Sequence, residues 1–260
     1  MKKHALILGL VVSMSFMSAC GRNPKRMEEA DVHFQASKSL HAKGEVIQSL
    51  AEALKGAKVD PKNEEIQNFL GLLYAERGDT ALALEHFEKS VKAKSDYSEG
   101  HNNLCAFLLQ ENKPDQALDH CQKAVQNVTY ATPERAYNNM AMAYEKKGDS
   151  AKAAEMHGKA LLHNKKFVFS LNYLGKTAYD KRDYKKAKEY LTSADEACVA
   201  SPKGSWGSAC PESQYHLALT LLQLKETPQA VMAFEHCQAS NSSPTNEYKI
   251  KCEKSLRMYR

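Results

Sequence analysis

The chain has 260 residues, 43% of them hydrophobic and 26% charged, too apolar for a disordered polymer and enough to build a continuous core. Lys and Arg number 36 against 31 Asp and Glu. The two signs are interspersed, with no basic block and no aromatic interleaving, which argues against a nucleic-acid groove.

Residues 1–20 read MKKHALILGLVVSMSFMSAC: cationic Lys2 and Lys3, an apolar run from Ala5 to Val12, then small Ser18 and Ala19 before Cys20. This is the pattern of an export signal. Its apolar run is shorter than the roughly 18 to 20 residues of a membrane-spanning helix. MSAC resembles a bacterial lipobox, with Met17 where leucine is commoner; in such a motif the signal is removed and the new N-terminal cysteine carries lipid. The expectation is that residues 1–19 are lost, Cys20 is acylated by palmitate-type chains, and residues 20–28 form a tether. Gly21 rather than Asp follows Cys20, which implies the periplasmic face of an outer membrane. Each buried methylene contributes about 0.8 kcal/mol, so several chains on one cysteine would hold a domain at the surface.

Beyond the tether an internal period takes over. GLLYAERGDTALALEHF from Gly71, CAFLLQENKPDQALDHC from Cys105, AMAYEKKGDSAKAAEMH from Ala141 and GKTAYDKRDYKKAKEYL from Gly175 share one order. A small residue is followed by an apolar one, a polar turn, and then an alanine. This is the tetratricopeptide pattern, in which a small residue on each of two antiparallel helices lets them pack closely. The first-helix place falls at Ser37, Gly71, Cys105, Ala141, Gly175 and Ala218, and the second-helix place at Ser49, Ala83, Ala117, Ala153, Ala187 and Ala230. The expected fold is all-α: a right-handed superhelical solenoid of about six hairpins over residues 29–260, with residues 245–259 as a capping helix.

Successive first-helix places lie 34, 34, 36, 34 and 43 residues apart. The first departure is NVTYATPERAYNNM, a lengthened join in which Thr132 or a neighbour is expected to cap the next helix, Pro133 sits in its first turn and Tyr130 covers the joint. The second is an insertion at residues 196–211, where Cys198 and Cys210 bracket the sole tryptophan, Trp206.

Besides Cys20 there are six cysteines, Cys105, Cys121, Cys198, Cys210, Cys237 and Cys252, an even number in an exported chain and hence candidate disulfides. Counting cannot choose their connectivity. Once the helices are placed, Cys105 and Cys121 face the same interface of one hairpin, Cys198 and Cys210 would close the insertion, and Cys237 with Cys252 would staple the cap. Zinc is the rival reading, from His101 with Cys105 and His120 beside Cys121. Neighbouring residues on a helix point apart, no CxxC occurs, and an oxidising compartment favours bridges, so no metal or cofactor is expected.

No phosphate-binding glycine loop, GxSxG or HExxH is present, and His157 reads as a core residue without a nucleophile to activate. The chain reads as a non-enzymatic binding scaffold, with protein partners and no small-molecule substrate. Its candidate groove lies on the first helices. Asn68, Asn102, Asn138 and Asn172 recur at one place in four successive units, a ladder of carboxamides able to grip an extended peptide backbone or, alternatively, to bond neighbouring helices. Leu72, Ala106, Leu109, Met142, Phe169 and Tyr179 stand around them as apolar lining, and Arg135 and Lys176 also point inward without forming a full basic clamp.

Taken together, the lipobox, the six repeats and NVTYATPERAYNNMAMAY resemble the type IV pilus pilotin lipoproteins of the PilF, PilW and Tgl group. The join motif is matched by Tyr130, Thr132, Pro133, Ala136, Asn138 and Asn139. The resemblance implies a lipid-anchored protein with its domain in the periplasm, at the inner face of the outer membrane, which binds secretin subunits and assists their localisation and assembly. The repeats alone fit another role equally: a lipoprotein adaptor that scaffolds cell-envelope or peptidoglycan enzymes.

Overall fold

The computed structural model describes residues 23–201, 209–240, 243 and 245–259, so the export segment with Cys20, and Trp206, lie outside the described residues. Among the described residues there are thirteen α-helices and no strand. The chain divides into two compact units. The first ends at Pro61 and holds α1 (Pro24–Ala42) and α2 (Val46–Val59). The second begins at Lys62 and holds α3 (Glu64–Glu76), α4 (Thr80–Ala93), α5 (Ser98–Gln110), α6 (Pro114–Gln126), α7 (Pro133–Lys146) and α8 (Ser150–His163). It continues with α9 (Val168–Asp180), α10 (Tyr184–Ala200), α11 (Ala209–Gln223), α12 (Thr227–Ala239) and α13 (Glu247–Tyr259). Each odd helix pairs with the even one after it, and within the second unit successive hairpins stack, α4 on α5, α6 on α7, α8 on α9 and α10 on α11.

The hairpins close because small residues meet at the crossing. Ala83, Ala117, Ala153, Ala187 and Ala230 are all fully buried. A Cβ on Gly71 would lie 2.6 Å from the Phe87 ring, and one on Gly175 would lie 2.5 Å from Leu191 Cγ. In the first unit the pair is polar and self-satisfied: Ser37 Oγ donates to the Ser49 carbonyl at 2.7 Å and Ser49 Oγ donates to the Ser37 carbonyl at 2.9 Å. Between the two helices of a hairpin the chain turns through a left-handed residue. Gly44, Gly78 and Gly148 hold it in three hairpins, whereas Asn112, Arg182 and Lys225 hold it in the others. The last two carry a Cβ penalty that glycine lacks.

Several boundaries differ from expectation. Helix α1 starts at Pro24 with Asn23 as cap, its Oδ1 accepting from Lys25 N at 3.0 Å, so residues 24–28 of the expected tether are helical. The insertion is in part a longer helix, because α10 runs on to Ala200. Ala194 and Ala197 lie on one face of that extension and pack with Val168 and Leu171, which rewards further helical turns. Thr132 occupies the N-cap place of α7 but makes no capping bond; Pro133 opens the helix.

Three disulfides join Cys105 to Cys121, Cys198 to Cys210 and Cys237 to Cys252, with Cα separations of 5.4, 5.7 and 6.2 Å. The first lies at the small-residue crossing of α5 and α6, fully buried. The third ties α13 to α12, and Cys252 and Leu256 join Phe234 and Leu217 in the C-terminal core. A terminal helix has a neighbour on one side only, so a covalent tie counts for more there than inside the stack. Replacing Cys237 and Cys252 together by serine should destabilise the chain by about 2–4 kcal/mol. Amide exchange should rise sharply in α13 while α5 and α6 keep their protection.

Candidate functional site

Four first helices of the second unit, α3, α5, α7 and α9, carry the carboxamide ladder, and the structure divides it in two. Asn103 Nδ2 donates to Asn68 Oδ1 at 3.2 Å, and Asn139 Nδ2 donates to Asn102 Oδ1 at 3.0 Å. Asn68 and Asn102 are 6% and 3% exposed. Both oxygens are thus spent on bonding one first helix to the next. The cause is the doubled asparagine at Asn102–Asn103 and Asn138–Asn139, each pair reaching back with its second member. Unit five has Tyr173 in place of that second asparagine, so no carboxamide reaches back to Asn138.

The consequence is an opening. Helices α3 and α5, α5 and α7, and α9 and α11 are in close contact, whereas α7 and α9 are more widely separated. Two cavities flank that gap, with Asn138 and Phe169 as their shared wall. The smaller, about 440 Å³, is lined by Asn102, Asn103, Ala106, Asn139 and Asn164, with Glu134 and Arg135 beside them. The larger, about 860 Å³, lies between the α7–α8 hairpin and α9 and is lined by Met142, Ala151, Ala154, His157, Asn172 and Tyr173, among others. Asn138 Nδ2 lies 3.6 Å from Met142 Sδ, and Asn172 is 8% exposed with an Oδ1 that has no hydrogen-bond partner among the described residues.

Of the sequence-predicted lining, Asn102, Ala106, Asn138, Met142, Phe169 and Asn172 come together here. The others do not. Leu109 is 3% exposed and belongs to the core with Phe87 and Phe107, because its place on α5 turns toward that core rather than the open face. Tyr179 is half-buried against the C-terminal core, its ring 6.2 Å from that of His216. Leu72 is exposed on α3, outside both cavities. Lys176 borders the larger cavity and lies 3.9 Å from Glu212; Arg135 borders the smaller and lies 3.8 Å from Glu99.

The lengthened join braces the smaller cavity. Thr129 N and Oγ1 both donate to Asn127 Oδ1, at 3.0 and 2.7 Å. Tyr130 donates its phenol to Glu99 at 3.3 Å, and burial raises its pKa above the ordinary phenol value. His157 is buried as expected of it, Nδ1 3.0 Å from Ser170 Oγ and Nε2 3.3 Å from Glu145, with its ring against Tyr173 at 4.2 Å.

Sequence reasoning passed over Asn103, read Asn139 only as part of the join motif, and missed a second series on the hairpin interiors. His33 meets Glu52 at 2.7 Å, Gln67 meets His86 at 2.7 Å and His101 meets His120 at 3.0 Å, and each pair spans the same 19 residues. That recurrence was the available signal. The pairs include the residues once weighed for zinc, but Cys105 and Cys121 are bonded to each other, and among the described residues no group of three His, Cys, Asp or Glu could hold a metal. His101 Nε2 donates to the Ser95 carbonyl, leaving Nδ1 to accept from His120. Burial lowers the pKa of His86 and His101, and burial followed by the nearby His101 lowers that of His120 from 6.5 to about 4.

Hairpins closed by small residues, six small-residue pairs in register and a polar face on the first helices define a tetratricopeptide-repeat scaffold. Tetratricopeptide repeat models match residues 29–98 and 134–162. The chain is 22% identical over 194 residues to the type IV pilus assembly protein PilF of Pseudomonas aeruginosa, covering 72% of this chain and 77% of that one. Its fold matches the solved structure of Pseudomonas aeruginosa PilF with a TM-score of 0.74 at 17% identity, over 89% of this chain and 99% of the other. It matches that of PilW, described as a widely conserved type IV pilus biogenesis factor, with a TM-score of 0.68 at 20% identity, over 86% and 98%. The chain carries tetratricopeptide repeats, and its fold is similar to those of PilF and PilW.

Two measurements follow from this geometry. Asn139→Leu leaves the buried Asn102 oxygen unpaired and should destabilise by about 1–3 kcal/mol in urea unfolding, whereas Asn138→Ala should stay within about 0.5 kcal/mol of the parent. Histidines whose folded pKa is depressed bind fewer protons folded than unfolded, so stability is lost as pH falls from about 6.5 toward 4. Thermal melts across that window should show a declining midpoint, with a shallower decline in His120→Gln.

Proposed function

We propose that this protein is a type IV pilus biogenesis factor of the pilotin kind: an outer-membrane lipoprotein, anchored through Cys20 with its domain in the periplasm, that binds secretin subunits and assists their localisation and assembly. The observation that carries the reading is the end-to-end likeness to PilF and PilW, 99% and 98% of those chains being spanned. Both likenesses also span most of this chain, 89% and 86%. The MSAC junction at Cys20 and three disulfides are consistent with an exported, lipid-bound protein. In this reading the opening between α7 and α9 receives an extended segment of the partner, with Asn138 and Asn172 offered to its backbone and side chains.

The test is the state of the pilus secretin in a strain lacking this protein. Secretin multimers should be depleted from the outer-membrane fraction, and a Cys20→Ser form should fail to restore them although the protein is made. Normal amounts of correctly located multimers in the deletion strain would overturn the proposal.

A further inference from the structure

The larger cavity has a composition that selects among side chains. Met142, Ala151, Ala154, Phe169 and Thr177 give it an apolar or weakly polar stretch of wall, and Phe169 and Met142 are 43% and 44% exposed. At about 860 Å³ it exceeds what a short aliphatic side chain fills. Among the polar residues that also line it, His157 and Asn172 are buried, and they differ. His157 has both ring nitrogens engaged, by Ser170 and Glu145. Asn172 is more than nine-tenths buried, and its Oδ1 is without a hydrogen-bond partner among the described residues. A buried acceptor left unpaired is costly, and a donor brought into the cavity removes that cost.

We infer that this cavity takes an aromatic side chain with a neutral hydrogen-bond donor at its far end, tyrosine or tryptophan, from an extended partner segment, the donor satisfying Asn172 Oδ1 as the carboxamide turns toward it. The inference rests on the groove reading above and deepens it. Phenylalanine and leucine fill the walls but leave Asn172 unpaired. Serine and asparagine supply a donor but leave the apolar walls bare. A lysine or arginine tip would lose its hydration against a neutral amide. Three carboxylates border the cavity: Glu145 meets His157, Glu212 meets the Tyr248 phenol at 3.0 Å and Lys176, and Asp180 shares the lining with Lys176 and Lys181. Lys176 and Lys181 also stand at the rim, where they oppose a cation.

The experiment uses the folded periplasmic chain and fluorescein-labelled extended peptides of one serine–valine background, with Tyr, Trp, Phe, Leu or Arg at the centre. The Tyr and Trp peptides should bind about tenfold or more tightly than the Phe and Leu peptides. Asn172→Leu should erase the Tyr-over-Phe preference while leaving Phe affinity nearly unchanged. Asn172→Asp, which keeps an acceptor, should restore the preference, separating loss of the bond from loss of fold. Equal affinity for Tyr and Phe, or tightest binding of the Arg peptide, would overturn the inference but leave the groove reading intact provided Phe169→Ala still weakens every peptide. If no peptide binds, or if Phe169→Ala changes nothing, both fall together.

Discussion

Two helices can cross closely only where neither carries bulk, and that constraint governs everything else in this chain. At Gly71 there is room for the Phe87 ring only because no Cβ is present, and at Gly175 Leu191 occupies the equivalent space. The depth of the crossing sets the direction of every other residue on the two helices. Leu104, Phe107 and Leu108 turn inward as a result, while Asn103 and Ala106 stay partly exposed on the first-helix face. Where the small pair is serine, reciprocal hydrogen bonds hold the same crossing, and where it borders Cys105 a covalent bond does. Three different chemistries therefore meet one steric requirement, which is why low sequence identity to PilF and PilW accompanies a shared backbone.

That requirement also explains what could be read from the residues alone. The places of Ala83, Ala117, Ala153, Ala187 and Ala230 are legible because a small side chain is the only solution at a close crossing, so the period survives when other residues drift. The turns are less legible. Gly78 and Gly148 announce a left-handed residue, whereas Arg182 and Lys225 adopt the same conformation against their preference, held by the hairpins on either side. The extension of α10 to Ala200 was hidden for a related reason: Pro202 and Gly204 signal a break, but the alanines before them find a core to pack against.

The candidate site was half legible. Four asparagines at one place announce a polar row, but a carboxamide's role depends on what its neighbour in the next repeat offers. That neighbour is one residue further along in the sequence and one helix away in space. Leu109 illustrates the same limit from the apolar side, since a rotation of a few tens of degrees about α5 separates a lining residue from a core residue. The His33–Glu52, Gln67–His86 and His101–His120 series escaped notice because its members change chemical type from hairpin to hairpin, although their spacing does not.

The asymmetry of the ladder carries the final step. Asn103 and Asn139 bond the first helices of three successive hairpins to one another and use up the Asn68 and Asn102 oxygens. In the next unit Tyr173 stands in place of the reaching asparagine, α7 and α9 are more widely separated, and Asn138 and Asn172 line the larger cavity. A repeat array has no intrinsic reason to bind at one place rather than another, since each unit presents a similar face. Here one substitution within the repeat pattern locates the opening. The carboxamides bonded between neighbouring helices form one wall of the smaller cavity, and the larger cavity begins past the last of them, at Asn138.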